Sequence, residues 1–210
     1  YAGRRSRTDL PAARFWIVIY GSIALVFFTG LMMHGMTAVA YLAVPGILTF
    51  VWHLWLVSRR AERKQAGLEI VASGSLALAA PAALWVSRGS YNAEGWALWV
   101  LVGFQSAASI VHAYMRLIHR ERKELPSRAE QAQIGARAVL YTSFNLIVTF
   151  ILSIIDWLPR FIFIPYLLQW AETLWWTFNP AINAKPTSIG FRQLAVSALF
   201  TILFILFWTL

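Results

Sequence analysis

Seven stretches of mostly apolar residues run through this chain, each about as long as a helix must be to cross the hydrocarbon core of a bilayer. They lie near 15–33, 37–57, 68–86, 95–117, 138–156, 160–178 and 190–210. None alternates strictly between apolar and polar residues, as barrel strands do. Of the 210 residues, 59% are hydrophobic and 13% are charged, with a mean hydropathy of +0.61. A soluble domain carries about 25% charged residues, so lipid is the expected solvent. The predicted fold is all-α: a polytopic transmembrane helix bundle of seven spans, forming one domain over residues 1–210.

Lysine and arginine accumulate on the cytoplasmic side of membrane proteins, and their distribution orients the chain. With a cytoplasmic N-terminus, sixteen fall inside: Arg4, Arg5, Arg7, Arg14, Arg59, Arg60, Arg63, Lys64, Arg116, Arg120, Arg122, Lys123, Arg128, Arg137, Lys185 and Arg192. Only Arg88 and Arg160 fall outside. The expected location is the bacterial cytoplasmic (inner) membrane, crossed many times. The net charge of +9 is divided among short juxtamembrane segments. That division suits anionic lipid head groups, so nucleic acid is set aside as a partner. The mixed-charge stretch 119–131 is expected to be a solvated helical extension. There are no cysteines, which excludes thiol catalysis and cysteine-ligated metals. Residues 1–15 lack the apolar core of a signal peptide, and the first residue is Tyr1, so upstream sequence is expected.

Most of the eleven tryptophans fall near predicted span ends, as an aromatic belt requires. Trp176 is among them, and only Trp170 is placed deeper. Small residues along 73–83 suit close helix packing.

Polar side chains within spans face a bundle interior or a wet cavity. Gln105, Ser109, His112 and Arg116 share one helical face; so do Tyr141, Asn145 and Thr149, and Gln169, Glu172, Trp176 and Asn179. His53, in the stretch VWHLWLVSRRAERK, and Glu69 lie at similar predicted depth. The candidate cytoplasmic-side cavity is therefore His53, Glu69, His112, Arg116, Asn145, Glu172 and Arg192. Glu172 is the one acidic residue well inside a span and needs a cation or a proton; Arg116, His112 and His53 are its candidate partners. A structural hydrogen-bond network is the leading reading of these groups, with a ligand or catalytic pocket second. Haem ligation comes well behind, because His34 and His119 are placed at or beyond the rims and leave only His53 and His112 as axial candidates. No metal site is predicted, since neither an HExxH pattern nor a carboxylate pair is present.

The runs HLWLVSRRAERKQAGLEIVASGSLALAAPAA (53–83), VHAYMRLIHRERK (111–123) and KPTSIGFRQLAVSALFTILFILFW (185–208) resemble the YwiC-like family of bacterial integral membrane proteins. The resemblance covers about residues 14–208. It implies an N-terminal signature helix of Pro-Arg-Glu-His-Gly-Ala-Trp type that is not in this sequence. One or two upstream helices are therefore expected, and two would bring the total to nine. Nine is the number in the UbiA-type prenyltransferases, to which the family is similar in plan. Those enzymes hold Mg²⁺ on two aspartate-rich loops, and Mg²⁺ requires such carboxylates. The two aspartates here, Asp9 and Asp156, cannot supply them.

Three functional readings follow. The first is a non-catalytic membrane protein, an accessory subunit of a respiratory or photosynthetic electron-transfer complex. The second is a UbiA-like membrane enzyme or a lipid- or quinone-handling protein. In it Arg116 and Arg192 hold an anionic head group while His112 or Glu172 moves a proton. The third, a transporter, ranks last because the sequence shows no inverted repeat and no pair of broken helices. No cofactor is assigned; a lipid, quinone or pigment is the kind of ligand such a bundle would carry.

Overall fold

The computed structural model describes residues 9–58 and 66–209. Among them are eight α-helices and no strand: α1 (Asp9–Met33), α2 (Ala38–Ser58), α3 (Ala66–Leu76), α4 (Ala79–Arg88), α5 (Glu94–Glu121), α6 (Arg128–Ile154), α7 (Phe163–Phe178) and α8 (Pro186–Thr209). Five helical segments are long and apolar enough to cross a membrane: 11–33, 67–88, 94–121, 128–154 and 186–209. α7 has 16 residues, and the apolar part of α2, Ala38–His53, is also shorter. Arg4, Arg5, Arg7, Arg59, Arg60, Arg63 and Lys64 lie outside the described residues.

The span expected near 68–86 is two half-helices. Pro81 has no N–H to give to the Ala77 carbonyl, and the Ala80 N–H takes that oxygen at 3.0 Å instead. The Leu78 N–H likewise reaches back three residues, to the Ser75 carbonyl at 3.2 Å. The ladder tightens and breaks at Ala77 and Leu78, giving one interrupted helix. Beside the break, Ser75 donates to Thr49 Oγ1 on α2 at 2.7 Å.

Within the small-residue stretch 73–83 the close packing is at its second half, where Ala77, Leu78 and Pro81 are buried. Gly67 and Gly74 have nothing within 4 Å of where a Cβ would stand. Close approach occurs at Gly95, where a Cβ would enter the Trp85 indole, and at Gly135, where it would enter the Thr177 side chain. Trp85 is buried and donates to the Asn92 carbonyl at 2.9 Å, closing the α4–α5 turn.

Helix ends follow local chemistry. Ser127 accepts from the Glu130 N–H at 3.3 Å, and Glu130 pairs with Arg122 at 2.8 Å; this capped start of α6 has the spacing of a capping box. The mixed-charge stretch therefore divides into the last turn of α5, a short link at 122–127 and the first turn of α6. Arg137, expected in that connection, lies exposed in the third turn of α6, 5.8 Å from the Tyr141 ring.

α5 is the central element, packed against α3, α4, α6, α7 and α8. Tyr114–Glu69 and Trp99–Gly74 contacts set α3 antiparallel to it; Tyr166–Leu101 and Gln169–Gln105 contacts set α7 parallel. The links 122–127 and 179–185 thus share one end of the bundle, hereafter the basic end. The opposite half of the α5–α7–α8 space is apolar, filled by Leu101, Leu158, Ile162, Tyr166, Phe200 and Phe204. α1 stands apart, with none of its apolar window buried.

Candidate functional site

Toward the basic end, the space between α5, α7 and α8 is polar. α5 presents Gln105, Ser109, His112 and Arg116 to it at helical spacing, and α7 presents Gln169, Glu172, Thr173 and Trp176. α8 adds Arg192 and Gln193.

The inner part is a hydrogen-bonded knot. Gln169 Nε2 donates to the Gln105 carbonyl at 3.1 Å and to Ser109 Oγ at 3.0 Å; Gln193 Nε2 donates to the Ser109 carbonyl at 2.8 Å. A backbone carbonyl only accepts, so both amide orientations are determined and the two Oε1 atoms are the free ends. Thr173 Oγ1 donates to the Gln169 carbonyl at 2.9 Å and meets His112 Nδ1 at 3.1 Å. Its one proton is already committed, so Nδ1 carries the hydrogen and neutral His112 keeps its lone pair on Nε2. Gln105, Ser109, His112, Gln169, Glu172 and Gln193 line a cavity of about 10 Å³, the room of roughly one water.

The outer part is cationic. The Arg116 guanidinium lies 3.5 Å from the Trp176 ring centroid and that of Arg192 lies 4.3 Å from it, so one indole carries both. Arg192 Nε stands 3.6 Å from Glu172 Oε1, an ion pair too long to be a hydrogen bond. Arg116 is 5% exposed. Its Nη1, together with Trp176 Nε1 and both ring nitrogens of the fully buried His119, has no hydrogen-bond partner among the described residues.

The structure brings together four of the predicted residues: His112, Arg116, Glu172 and Arg192. Three lie elsewhere. Asn145 donates across to the Phe104 carbonyl at 2.8 Å, tying α6 to α5. Glu69 is on an exposed α3–α5 seam, accepting from Tyr114 at 2.8 Å. His53 is on α2, which packs on α3 and α4, and its Nδ1 is buried without a partner among the described residues. The nearest cation to Glu172 is Arg192, not one of the three expected candidates. His119, expected at a rim, is fully buried. Trp176, expected in a belt, is the platform for two arginines.

Sequence reasoning missed Thr173, Thr177 and Gln193. The four-residue spacing of Gln169, Thr173 and Thr177 was the available signal. Among the described residues, no group of three or more His, Asp or Glu converges as a metal site. No protein-family model matches the chain, and no curated protein or solved structure is significantly similar to it.

Proposed function

We propose that this is a polytopic membrane protein, its basic end cytoplasmic, that holds the anionic head group of a lipid between α5, α7 and α8. The observation that carries the reading is the pair of guanidiniums on Trp176. Their central carbons lie within about 8 Å of each other, with Glu172 as the nearest carboxylate; Arg116 is buried and Arg192 half exposed. The unpartnered groups around them include two donors, Arg116 Nη1 and the N–H that a neutral His119 must carry, beside one acceptor, the other ring nitrogen of His119. Buried donors without acceptors are costly, and an anion would satisfy them together with the charge. The apolar opposite half is filled by side chains and gives a polar solute no continuous path.

The test is a thermal titration in neutral detergent with phosphatidylglycerol. The midpoint should rise with added lipid, and Arg116→Gln should weaken the apparent affinity about tenfold or more, the worth of a charge-assisted hydrogen bond. Equal responses in Arg116→Gln, Arg192→Gln and the parent protein would sink the reading.

A second reading keeps the protein as an accessory subunit of a respiratory or photosynthetic electron-transfer complex. The uncovered α1 favours it. Native electrophoresis of gently extracted membranes decides: migration within a large coloured complex supports it, migration alone does not. The YwiC-like resemblance stays a proposal of common plan and assigns no chemistry.

A further inference from the structure

The water-sized cavity beside the arginines has the opposite polarity to theirs. Gln169 is 5% exposed, and its Oε1 is buried without a partner among the described residues. Its Nε2 spends both hydrogens on the Gln105 carbonyl and Ser109 Oγ. Gln193, also on the lining, gives its amide nitrogen to the Ser109 carbonyl at 2.8 Å. His112 offers the lone pair of Nε2, because Nδ1–H is given to Thr173. Glu172 adds a carboxylate, 13% exposed, whose ion pair with Arg192 is too long to be a hydrogen bond. Against these, Ser109 and Ser197 contribute hydroxyl protons, and Gln105 Nε2, which gives one hydrogen to Ser109 Oγ at 3.2 Å, keeps its second. Gln169, His112 and Glu172 thus present acceptors to a space the size of one –NH₃⁺ group, which has three N–H donors and no acceptor.

We propose that this cavity takes the primary ammonium of the same molecule whose phosphate lies against Arg116, Trp176 and Arg192. This rests on the head-group reading above and narrows it to a phosphoethanolamine-type zwitterion. Glu172 and Trp176 are one turn apart on α7, about 6 Å along the axis, a span that a two-carbon linker between phosphate and nitrogen covers. A quaternary ammonium has no N–H to give to these acceptors, so the site discriminates against it.

The experiment is native mass spectrometry of the full chain after detergent exchange, offering phosphatidylethanolamine, phosphatidylcholine and phosphatidylglycerol in equal amounts. A parallel arm offers water-soluble phosphoethanolamine and phosphocholine. The parent protein should retain phosphatidylethanolamine about tenfold or more over phosphatidylcholine, and Gln169→Leu and Glu172→Gln should each reduce that preference. Preference for phosphoethanolamine alone would also support the ammonium site and assign its source to a soluble phosphate ester. Equal retention of the three lipids, all lost in Arg116→Gln, would overturn the ammonium site and leave the phosphate site standing. Retention insensitive to Arg116→Gln would overturn both. Phosphatidylglycerol needs only the phosphate site, so its unchanged retention by Gln169→Leu separates loss of ammonium recognition from misfolding of that variant.

Discussion

His112 donates a hydrogen bond to Thr173: the 3.1 Å contact from Nδ1 reaches a hydroxyl whose own proton is held by the Gln169 carbonyl at 2.9 Å. A backbone turn of α7 thereby sets the tautomer of a histidine on α5. The consequence for the cavity that His112 lines is that Nε2 is an acceptor whenever His112 is neutral.

Thr173→Val should therefore leave a buried N–H unmatched, destabilising by about 1–3 kcal/mol. Thr173→Ser keeps the hydroxyl and should stay near the parent protein. Thermal unfolding in micelles compares them, with ¹⁵N-histidine spectra reporting the tautomer. A valine variant with unchanged midpoint and an Nε2–H signal would show that the hydroxyl does not set it.

At Gly135 α6 lies close against α7: a Cβ there would run into the Thr177 side chain. Thr177 also donates to the Thr173 carbonyl at 2.8 Å and meets Met115 Sδ at 3.4 Å, so it has little room to yield. Gly135→Ala should cost about 1–3 kcal/mol by overpacking. Thr177→Ala in the same chain should return most of that loss. Additive effects of the two would show that the overlap had relaxed elsewhere.

What the sequence made legible is what repeats along one helix. The face of Gln105, Ser109, His112 and Arg116 follows from a 3.6-residue period, and the structure keeps it. Relations between helices have no such period. Nothing in the spacing places Arg192 of α8 beside Glu172 of α7, or sends Asn145 to the Phe104 carbonyl rather than to the cavity. Trp176 read as belt because its position near a span end suits one; the two arginines around it come from other helices. The break at Ala77 was written locally in Pro81, and small residues masked it by suggesting packing.

Asn145 tests the plainer view that these polar groups only join helices. Its one interhelical bond, 2.8 Å to Phe104, is of a kind that averages about 0.6 kcal/mol in membrane proteins. Asn145→Leu should cost about that much and leave lipid retention unchanged. A loss of retention as large as that of Arg116→Gln would mean that the whole polar interior, not the arginine end, holds the ligand.

Trp176 is the residue whose replacement should be felt by two cations together. A guanidinium on an indole is worth about 2 kcal/mol when desolvated and about 0.5–1 kcal/mol when exposed; here the buried Arg116 and the half-exposed Arg192 share one ring at 3.5 and 4.3 Å. Trp176→Phe keeps a ring with a weaker attraction, while Trp176→Leu removes it and leaves the two like charges facing Glu172 alone. The leucine variant should lose about 2 kcal/mol or more in lipid-free detergent, the phenylalanine variant less. Combining Trp176→Leu with Arg116→Gln should be less damaging than the two separate losses predict, since residues in contact couple by about 0.5–3 kcal/mol. Strict additivity, within about 0.5 kcal/mol, would mean that the indole and Arg116 stabilise the bundle independently and that the stacked pair is not the organising feature of this end.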